Sequence, residues 1–474
     1  MKSILILIFL IIINLPCLAQ KVEIIKELKP LSIRGTNYYP ADTPWADMWT
    51  EKTDTKVFYE DMAKAKELNI NAVRTFIFFD VERGFVKEDG SVSNAYFKKF
   101  DAFLDAAWEN GIRVIPCFEA PYKYPESAWK KQMKDFAQKY KDDGRILMWD
   151  LVNEPGGSVG GPLGDEKIAD FIRKGMDYLK SIDKNHIVTV GLCFEIDQLL
   201  QITIPDTSHF HDYGAWADYE KMGVERIGSS IRLMREYLPN SPVLIGEFGW
   251  ASKDISNDLG TADADEYHQL SRYGICLNSY EVYQTAGAMN WCLLDYPIPL
   301  WQDAQRFFGI IRSDGTLKPA GYLMKSFYSR WKQKDASYVF NDDFNSPLRW
   351  KEFTDCDIIE KLEDDSFFIQ KNKIDGESHM SQTRKINFKN HRYLTVSVLD
   401  ISSDTTAIVS LKTEDKEFDL IKITKPGIYT LDFSTIFNPL DNLKEITIIA
   451  KVNSKKDGFV TWDRISVSNV DELK

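Results

Sequence analysis

Two glutamates stand where a carboxylate can do chemistry. Glu154 lies in Trp149-Asp150-Leu151-Val152-Asn153-Glu154-Pro155, and Glu247 lies in Val243-Leu244-Ile245-Gly246-Glu247-Phe248-Gly249-Trp250. Each follows an apolar, strand-like run, where a charge is costly unless it is hydrogen-bonded or put to use. One such glutamate alone reads most simply as a salt bridge at a rim. Two that meet across a cleft offer more. One can protonate a departing oxygen while the other attacks an anomeric carbon, which is how glycosidic bonds are hydrolysed.

The neighbouring residue types suit that chemistry. Arg74, at the end of Asn71-Ala72-Val73-Arg74, can hold a carboxylate ionised through a charge-assisted bond, or can serve only as a structural ion pair. In His209-Phe210-His211-Asp212-Tyr213, alternate residues of a strand share a face. Tyr213 is thereby placed to donate to a nucleophile and His211 to bond sugar hydroxyls. Asn153 is suited to a sugar 2-hydroxyl, and Trp291 to stacking on a pyranose face or to ordinary packing. Tyr38, Tyr39, Trp45 and Trp49 crowd one stretch, and Trp301 follows Pro297-Ile298-Pro299-Leu300. Sugar rings stack on exposed aromatics, yet the same residues would serve equally to anchor a loop.

These residues need elements to hold them. Short runs rich in branched residues predict strands near Leu31–Asn37, Ala72–Phe78, Arg113–Phe118, Leu147–Asn153, Ile187–Leu192, Ser208–Tyr213, Val243–Phe248 and Ala286–Leu293. Between them run apolar stripes at helical spacing. One is Val57, Met62, Ala65 and Leu68; another is Tyr96, Phe100, Phe103, Ala107 and Trp108; a third is Ile168, Phe171, Ile172, Leu179 and Ile182. Later stripes begin at Ile227, Leu270 and Tyr322. Eight alternations predict a closed (β/α)8 barrel, an α/β fold, over residues 20–335, with catalytic groups at the carboxyl ends of the strands. An open doubly wound sheet is the alternative, and no glycine-rich phosphate loop follows an early strand to support it. Beyond residue 336 the period drops to two, as in Leu394-Val396-Val398 and Ile446-Ile448-Ala450-Val452. That pattern predicts an antiparallel β-sandwich over 336–474, packed on the barrel.

Composition narrows the class. Hydrophobic residues make up 44% and charged residues 27%, the balance of a folded globular protein. Lys and Arg number 59 against 71 Asp and Glu, a net charge of −12 that argues against a nucleic-acid partner. Residues 1–19 read as a secretory signal peptide cut after Ala19: Lys2, an apolar run from Ile4 to Ile13, then Pro16 and small residues. That run is too short to span a membrane, which needs about 20 residues. The expected localisation is therefore secreted, with no membrane-spanning segment. Past Cys17 the cysteines are Cys117, Cys193, Cys276, Cys292 and Cys356, an odd set mostly in apolar runs, so no disulfide framework is expected. The sequence carries no signal for an oligomeric state.

Taken together, Arg34-Gly35-x-Asn37, Arg74, Asn153-Glu154-Pro155, His211-x-Tyr213, Gly246-Glu247-Phe248-Gly249 and Trp291 resemble the clan A retaining glycoside hydrolases over residues 31–333. The nearest match is family 5, the cellulase and mannanase family. The resemblance implies that Glu154 is the acid/base and Glu247 the nucleophile of a double displacement on a β-linked saccharide, with β-mannan or β-glucan favoured. It implies Asn37 in the site, a cis peptide bond after Trp291 and no cofactor. One departure stands out. The family usually carries a histidine at the end of strand three, where this chain reads Val114-Ile115-Pro116-Cys117-Phe118-Glu119. Glu119 either takes over a sugar contact or is a rim carboxylate. In its ends, Asn341-Asp342-Asp343-Phe344 and Val460-Thr461-Trp462-Asp463-Arg464-Ile465, the sandwich resembles a carbohydrate-binding module. Such modules often hold calcium near their termini, which makes Asp342, Asp343 and Asp463 candidate ligands; a purely structural sandwich fits as well.

Two further readings use the same residues. A metal-dependent hydrolase could build on His209 and His211, but a metal centre needs at least three convergent ligands and the chain has six histidines, the others scattered. A catalytically inactive glycan-binding protein would keep the barrel without needing both glutamates.

Overall fold

The computed structural model describes residues 23–119, 124–155, 165–192, 207–213, 228, 231–232, 234–236, 238–239, 241–256, 264–333, 338–342, 350–359, 368–386, 391–413, 416–432 and 444–473. The signal-peptide reading of residues 1–19 lies outside them, as do Cys193 and Asp343.

The eight predicted strands close into a parallel barrel. They are β1 (Ile33–Asn37), β2 (Ala72–Ile77), β3 (Arg113–Phe118), β4 (Met148–Asn153), β5 (Ile187–Leu192), β6 (Ser208–Asp212), β7 (Val243–Phe248) and β8 (Gly287–Asn290), with β8 paired back onto β1. The last strand ends at Asn290, short of the expected Leu293. Leu28, Ile33, Ala72, Ile115, Leu147, Met148, Ile187, Leu244, Ala286 and Met289 form one buried apolar cluster, a packed layer of the barrel. The polar layer that carries the chemistry holds Asn37, Arg74, Asp150 and His209, all buried.

Helices cover the strands. They include α1 (Lys56–Glu67), α2 (Asn94–Glu109), α3 (Glu126–Tyr140), α4 (Asp165–Ile182), α5 (Glu266–Val282) and α6 (Pro319–Lys332). Ser93 caps α2 by accepting from Tyr96 N–H, and Asp265 caps α5 by accepting from Tyr267 and His268 N–H. The α3 helix was not among the predicted stripes. Its buried face, Trp129, Met133, Phe136, Ala137 and Tyr140, has helical spacing but is interrupted by Lys and Gln.

Beyond the barrel come β9 (Tyr338–Asp342), β10 (Lys351–Thr354), β11 (Cys356–Ile359), β12 (Phe368–Asn372), β13 (Gly376–Ile386), β14 (Tyr393–Ile401), β15 (Thr406–Lys412), β16 (Glu417–Ile423), β17 (Gly427–Asp432), β18 (Lys444–Ser454) and β19 (Phe459–Ser468). They form two antiparallel sheets, ordered β10-β13-β18-β15-β16 and β11-β12-β19-β14-β17, with β9 on β19. Met380, Val396, Val409, Ile448 and Trp462 pack between them. The sandwich packs on the barrel: α6 lies against β14 and β17, and Ile369 and Leu399 join the barrel's own apolar cluster. Asp463 lies buried at this junction beside Arg330, Arg464, Ser326 and Ser397. Burial pushes its carboxyl up, against the pull of the two guanidinium groups.

Candidate active site

Arg74 organises the site. It is fully buried on β2 and sends its donors to five acceptors. Nε donates to Asp150 Oδ2 at 2.8 Å; Nη1 donates to Asn37 Oδ1 at 2.9 Å and Glu247 Oε1 at 2.6 Å. Nη2 donates to Asn153 Oδ1 at 2.7 Å and Cys117 Sγ at 3.3 Å. Phe76 lies beneath, its ring centre 5.0 Å from the guanidinium carbon. Burial opposes the charge on Arg74, but Cys117, Asp150 and Glu247 outweigh it and hold the guanidinium well above its ordinary value. Asp150 mirrors this. Burial alone would raise its carboxyl, and Arg74 and the neighbouring imidazoles hold it below the usual range.

Glu247 ends β7 with both oxygens engaged, Oε1 by Arg74 and Oε2 by the Tyr213 hydroxyl at 2.7 Å. Burial, reinforced by the Glu247 and Glu154 carboxylates, keeps the Tyr213 phenol far above its normal value, so it donates. Glu154 sits just past β4 in the left-handed region, at φ 42°, with its N–H donating to Gly191 O at 2.8 Å. Its Oε1 lies 2.6 Å from His211 Nδ1, and His211 Nδ1 lies 3.7 Å from Glu247 Oε2. One oxygen of each glutamate and one His211 nitrogen fall within 4.8 Å of one another.

Pairing irregularities aim these groups. Register shifts interrupt the ladders between Asp150 and Asn153, Phe210 and His211, and Ile245 and Phe248. Such bulges turn side chains next to catalytic centres. Two glycines make room. A methyl at Gly246 would overlap the His209 ring, and one at Gly191 would come within 2.7 Å of His211 Nε2.

The predicted residues separate into those at the site and those behind it. Asn37 is buried and fully engaged: it accepts from Arg74 and donates to Gly246 O and Asn290 O at 2.9 and 3.2 Å, so it positions rather than touches a ligand. Arg74 likewise acts through Glu247. The expected contact of His211 with sugar hydroxyls is replaced by its bond to Glu154, because the other ring nitrogen is buried. Asn153 has its oxygen taken by Arg74, which turns the amide nitrogen away from the guanidinium. Glu119 is exposed past the end of β3.

The aromatic stretch also divides. Tyr38 and Trp49 are core residues: Tyr38 donates to Asp61 at 3.0 Å, and Trp49 Nε1 donates to Phe76 O at 3.0 Å. Tyr39 is buried too, stacked under Trp45 at 5.0 Å and edge-on to Trp291 at 6.1 Å. Trp45 meets Trp301 edge-to-face at 4.4 Å, and Trp301 is 63% exposed. Trp291 follows β8, its Nε1 donating to Gln305 at 3.1 Å, and the Trp291–Cys292 peptide is cis. Of these rings Trp301 is exposed and Trp45 half-buried, whereas Trp291 and Tyr39 are buried behind them.

Asp150, Cys117 and Gly191 were not singled out as site residues by sequence, and His209 was weighed only as a metal ligand. Asp150 had a signal, an acid inside an apolar strand four residues before Glu154. Cys117 had none beyond the absent strand-three histidine. Neither His209 nitrogen has a hydrogen-bond partner among the described residues, Asp150 Oδ2 lying 3.9 Å from Nδ1, and burial lowers this imidazole to about 3, so it is neutral. Glu154, His211 and Glu247 have the spacing of a metal-ligand set. The Arg74 cation 2.6 Å from Glu247 makes the place a poor one for a second cation. The remaining histidines stand apart: His186 pairs with Asp183 at the opposite end of β5, and His268 is on α5 beside Asp265.

Parallel strands with paired carboxylates at the ends of β4 and β7 are the architecture of a barrel glycosidase. Residues 29–295 match Cellulase (glycosyl hydrolase family 5), and the chain belongs to that family. It is similar to the putative mannan endo-1,4-β-mannosidase 9 of Oryza sativa subsp. japonica, 25% identical over 193 residues, covering 35% of this chain and 45% of the relative. It also resembles the probable mannan endo-1,4-β-mannosidase C of Aspergillus terreus, 24% identical over 173 residues, with coverages of 30% and 41%. The chain spans less than half the length of these curated relatives. Among solved structures, the exo-β-1,4-mannosidase from Opitutaceae bacterium strain TAV5 matches with a TM-score of 0.52 at 16% identity, over 63% of this chain and 59% of that one. A family 5 protein of Streptomyces cattleya, solved with Manβ1-4GlcNAc, gives 0.53 at 15%, over 63% and 81%. At these identities the likeness is one of fold.

Among the described residues no helix is long and apolar enough to cross a membrane. Cys117, Cys276, Cys292 and Cys356 are buried and form no disulfide among the described residues.

Proposed function

We propose that the protein is a retaining β-glycosidase acting on β-1,4-mannosidic linkages, with Glu247 as nucleophile and Glu154 as acid/base. The observation that carries this is the approach of the two carboxylates, with one oxygen of each inside 4.8 Å. Retaining enzymes place their carboxyl groups about 5–5.5 Å apart, whereas inverting ones leave room for water at about 6.5–9.5 Å. The mannoside preference rests on the similarity to mannan endo-1,4-β-mannosidases.

In the first step a Glu247 oxygen attacks the anomeric carbon as the bond to the leaving oxygen breaks, and Glu154 gives that oxygen its proton. Arg74 and Tyr213 hold Glu247 ionised and aimed. Forming the ester removes the charge of Glu247. Glu154, now a carboxylate, takes a proton from water as the water oxygen attacks the same carbon and Glu247 leaves. Two inversions return the original β configuration. No cofactor enters either step. Trp291, Trp45 and Trp301 offer faces to neighbouring sugar rings, and the amide nitrogen of Asn153 suits a 2-hydroxyl.

The test is to digest β-mannan, β-glucan, xylan and β-galactan with the purified protein and separate the products by size. β-Mannan should be cleaved fastest. A ladder of oligosaccharides would mark internal cleavage, and mannose alone would mark cleavage from an end. Preference for another polymer would overturn the mannoside assignment, and release from none would overturn the glycosidase reading.

A further inference from the structure

The contact between Glu154 and His211 can be made in more than one way. Either the imidazole Nδ1–H donates to a carboxyl oxygen, or a carboxylic acid O–H donates to a bare Nδ1. The two differ in where the proton of the acid/base resides, and the surroundings of the other nitrogen, Nε2, decide between them. Nε2 is buried and has no hydrogen-bond partner among the described residues. It is pressed against Gly191: the point where a Cβ of that residue would stand is 2.7 Å from Nε2 and 3.3 Å from Arg74 Nη2. A proton on Nε2 would be a buried donor without an acceptor, facing a guanidinium of the same sign, and such orphaned donors are costly. A lone pair on Nε2 is also unpartnered, but it presents the guanidinium with the opposite polarity and is the less costly of the two. The imidazolium form fails for the same reason, since it too protonates Nε2.

We propose that Gly191 and Arg74 lock His211 in its neutral Nδ1–H tautomer, so that it always donates to Oε1 of Glu154 and directs the acid proton to Oε2. This rests on Glu154 being the acid/base. His211 is then a positioning residue rather than a sugar ligand. With Oε1 occupied as an acceptor in both protonation states, the proton that Glu154 gives to the leaving oxygen, and later takes from water, resides on one defined oxygen. Gly191 matters twice: it supplies no acceptor for Nε2, and it lets the ring sit close enough for Nδ1 to reach Glu154 at 2.6 Å. Several described groups face His211. On β2 and β4 these are Arg74 and Asp150; on β6, His209, its ring centre 5.4 Å away, with Tyr213 just past its end; on β7, Glu247, with Oε2 3.7 Å from Nδ1. None of them supplies an acceptor to Nε2.

Two measurements test this. Long-range 1H–15N correlation spectra of protein labelled with 15N-histidine, with His211 assigned by its loss in His211→Asn, report the tautomer directly. The expected pattern is a ring protonated at Nδ1 and bare at Nε2. A ring protonated at Nε2 overturns the proposal whether or not the protein hydrolyses any glycoside. The second measurement is kinetic, on the glycoside that the polymer digests identify. His211→Leu removes the donor and should lower kcat about 10- to 100-fold, with KM changed far less and the pH profile displaced. Asn carries an N–H near the Nδ1 position, so His211→Asn should recover much of the loss. If Asn and Leu fall equally, or if both leave the pH profile of the parent, His211 does not direct the proton. Inactivity of the parent protein towards every glycoside would instead refute the enzymatic reading and leave the spectra to judge the tautomer.

Discussion

At the scale of single residues, the proposed mechanism divides labour between two glutamates by their partners. Glu247 is gripped on both oxygens by a cation and a phenol, whereas Glu154 meets an imidazole through Oε1. Glu154→Gln should therefore cost about 10²- to 10⁴-fold in turnover of substrates with poor leaving groups, and far less with a dinitrophenyl glycoside, which departs without a proton. Equal losses on both would remove Glu154 from the role of acid. His209 makes a prediction about stability. Its folded value of about 3 lies below the ordinary 6.5, so unfolding takes up a proton when the pH is between them. The stabilising share of the neutral buried ring is intact above pH 6.5 and is lost as the pH falls towards 3, with a slope of up to ~1.4 kcal/mol per pH unit. In denaturant titrations from pH 7 to 4, His209→Gln should show a flatter decline than the parent. An unchanged slope would contradict the assignment.

Among elements, the loops that follow β7 and β8 are tied by one buried lysine. Lys318 Nζ donates to Asp295 Oδ1 and Ser252 Oγ at 2.8 Å each and to Phe307 O at 3.1 Å. Burial pushes Asp295 up to about 6 despite this partner, so the pair is under strong desolvation. Lys318→Met strands the carboxylate and should destabilise the fold by about 3–5 kcal/mol, read as a lower denaturation midpoint. A loss below about 1 kcal/mol would mean that Asp295 simply takes a proton. Between β6 and β7, Gly246→Ala should lower the melting temperature through collision with His209, and His209→Ala should restore part of it. Additive losses would show that the two do not meet. The barrel strands were legible because apolar runs of five or six residues admit few alternatives. The stripe of α3 was not, because Lys130, Lys131 and Gln132 fall among its buried positions. Arg74, Tyr213 and both glutamates were legible as site residues because their types are rare at strand ends. Which of them touches a ligand was not, since Asn37, Tyr39 and His211 are withdrawn by partners from distant strands that no local pattern reveals.

Over the whole molecule, barrel and sandwich share a junction that is both apolar and ionic. Leu399 and Ile369 enter the barrel's cluster, Tyr267 donates to Asp400 at 2.5 Å, and Asp463 faces Arg330 across the boundary. Cutting the chain at residue 335 would expose this face of α6 and leave Arg330 short of one counter-charge. The intact protein should unfold in a single calorimetric transition, and residues 20–335 alone should melt at a lower temperature. Two separate transitions in the intact chain would show that the junction is not cohesive. The period-two pattern beyond residue 336 made the sandwich legible, but the fixing of Asp463 at this boundary depends on Ser326 and Arg330, more than 130 residues earlier in the chain. That Glu247 forms the covalent bond can be measured directly. The protein is inactivated with a 2-deoxy-2-fluoro glycosyl fluoride of the sugar released in the digests, cleaved with pepsin and analysed by mass spectrometry. The account predicts a single adduct on Glu247, absent from Glu247→Ala. An adduct on Glu154 or another residue, or turnover that leaves no trapped ester, would contradict it.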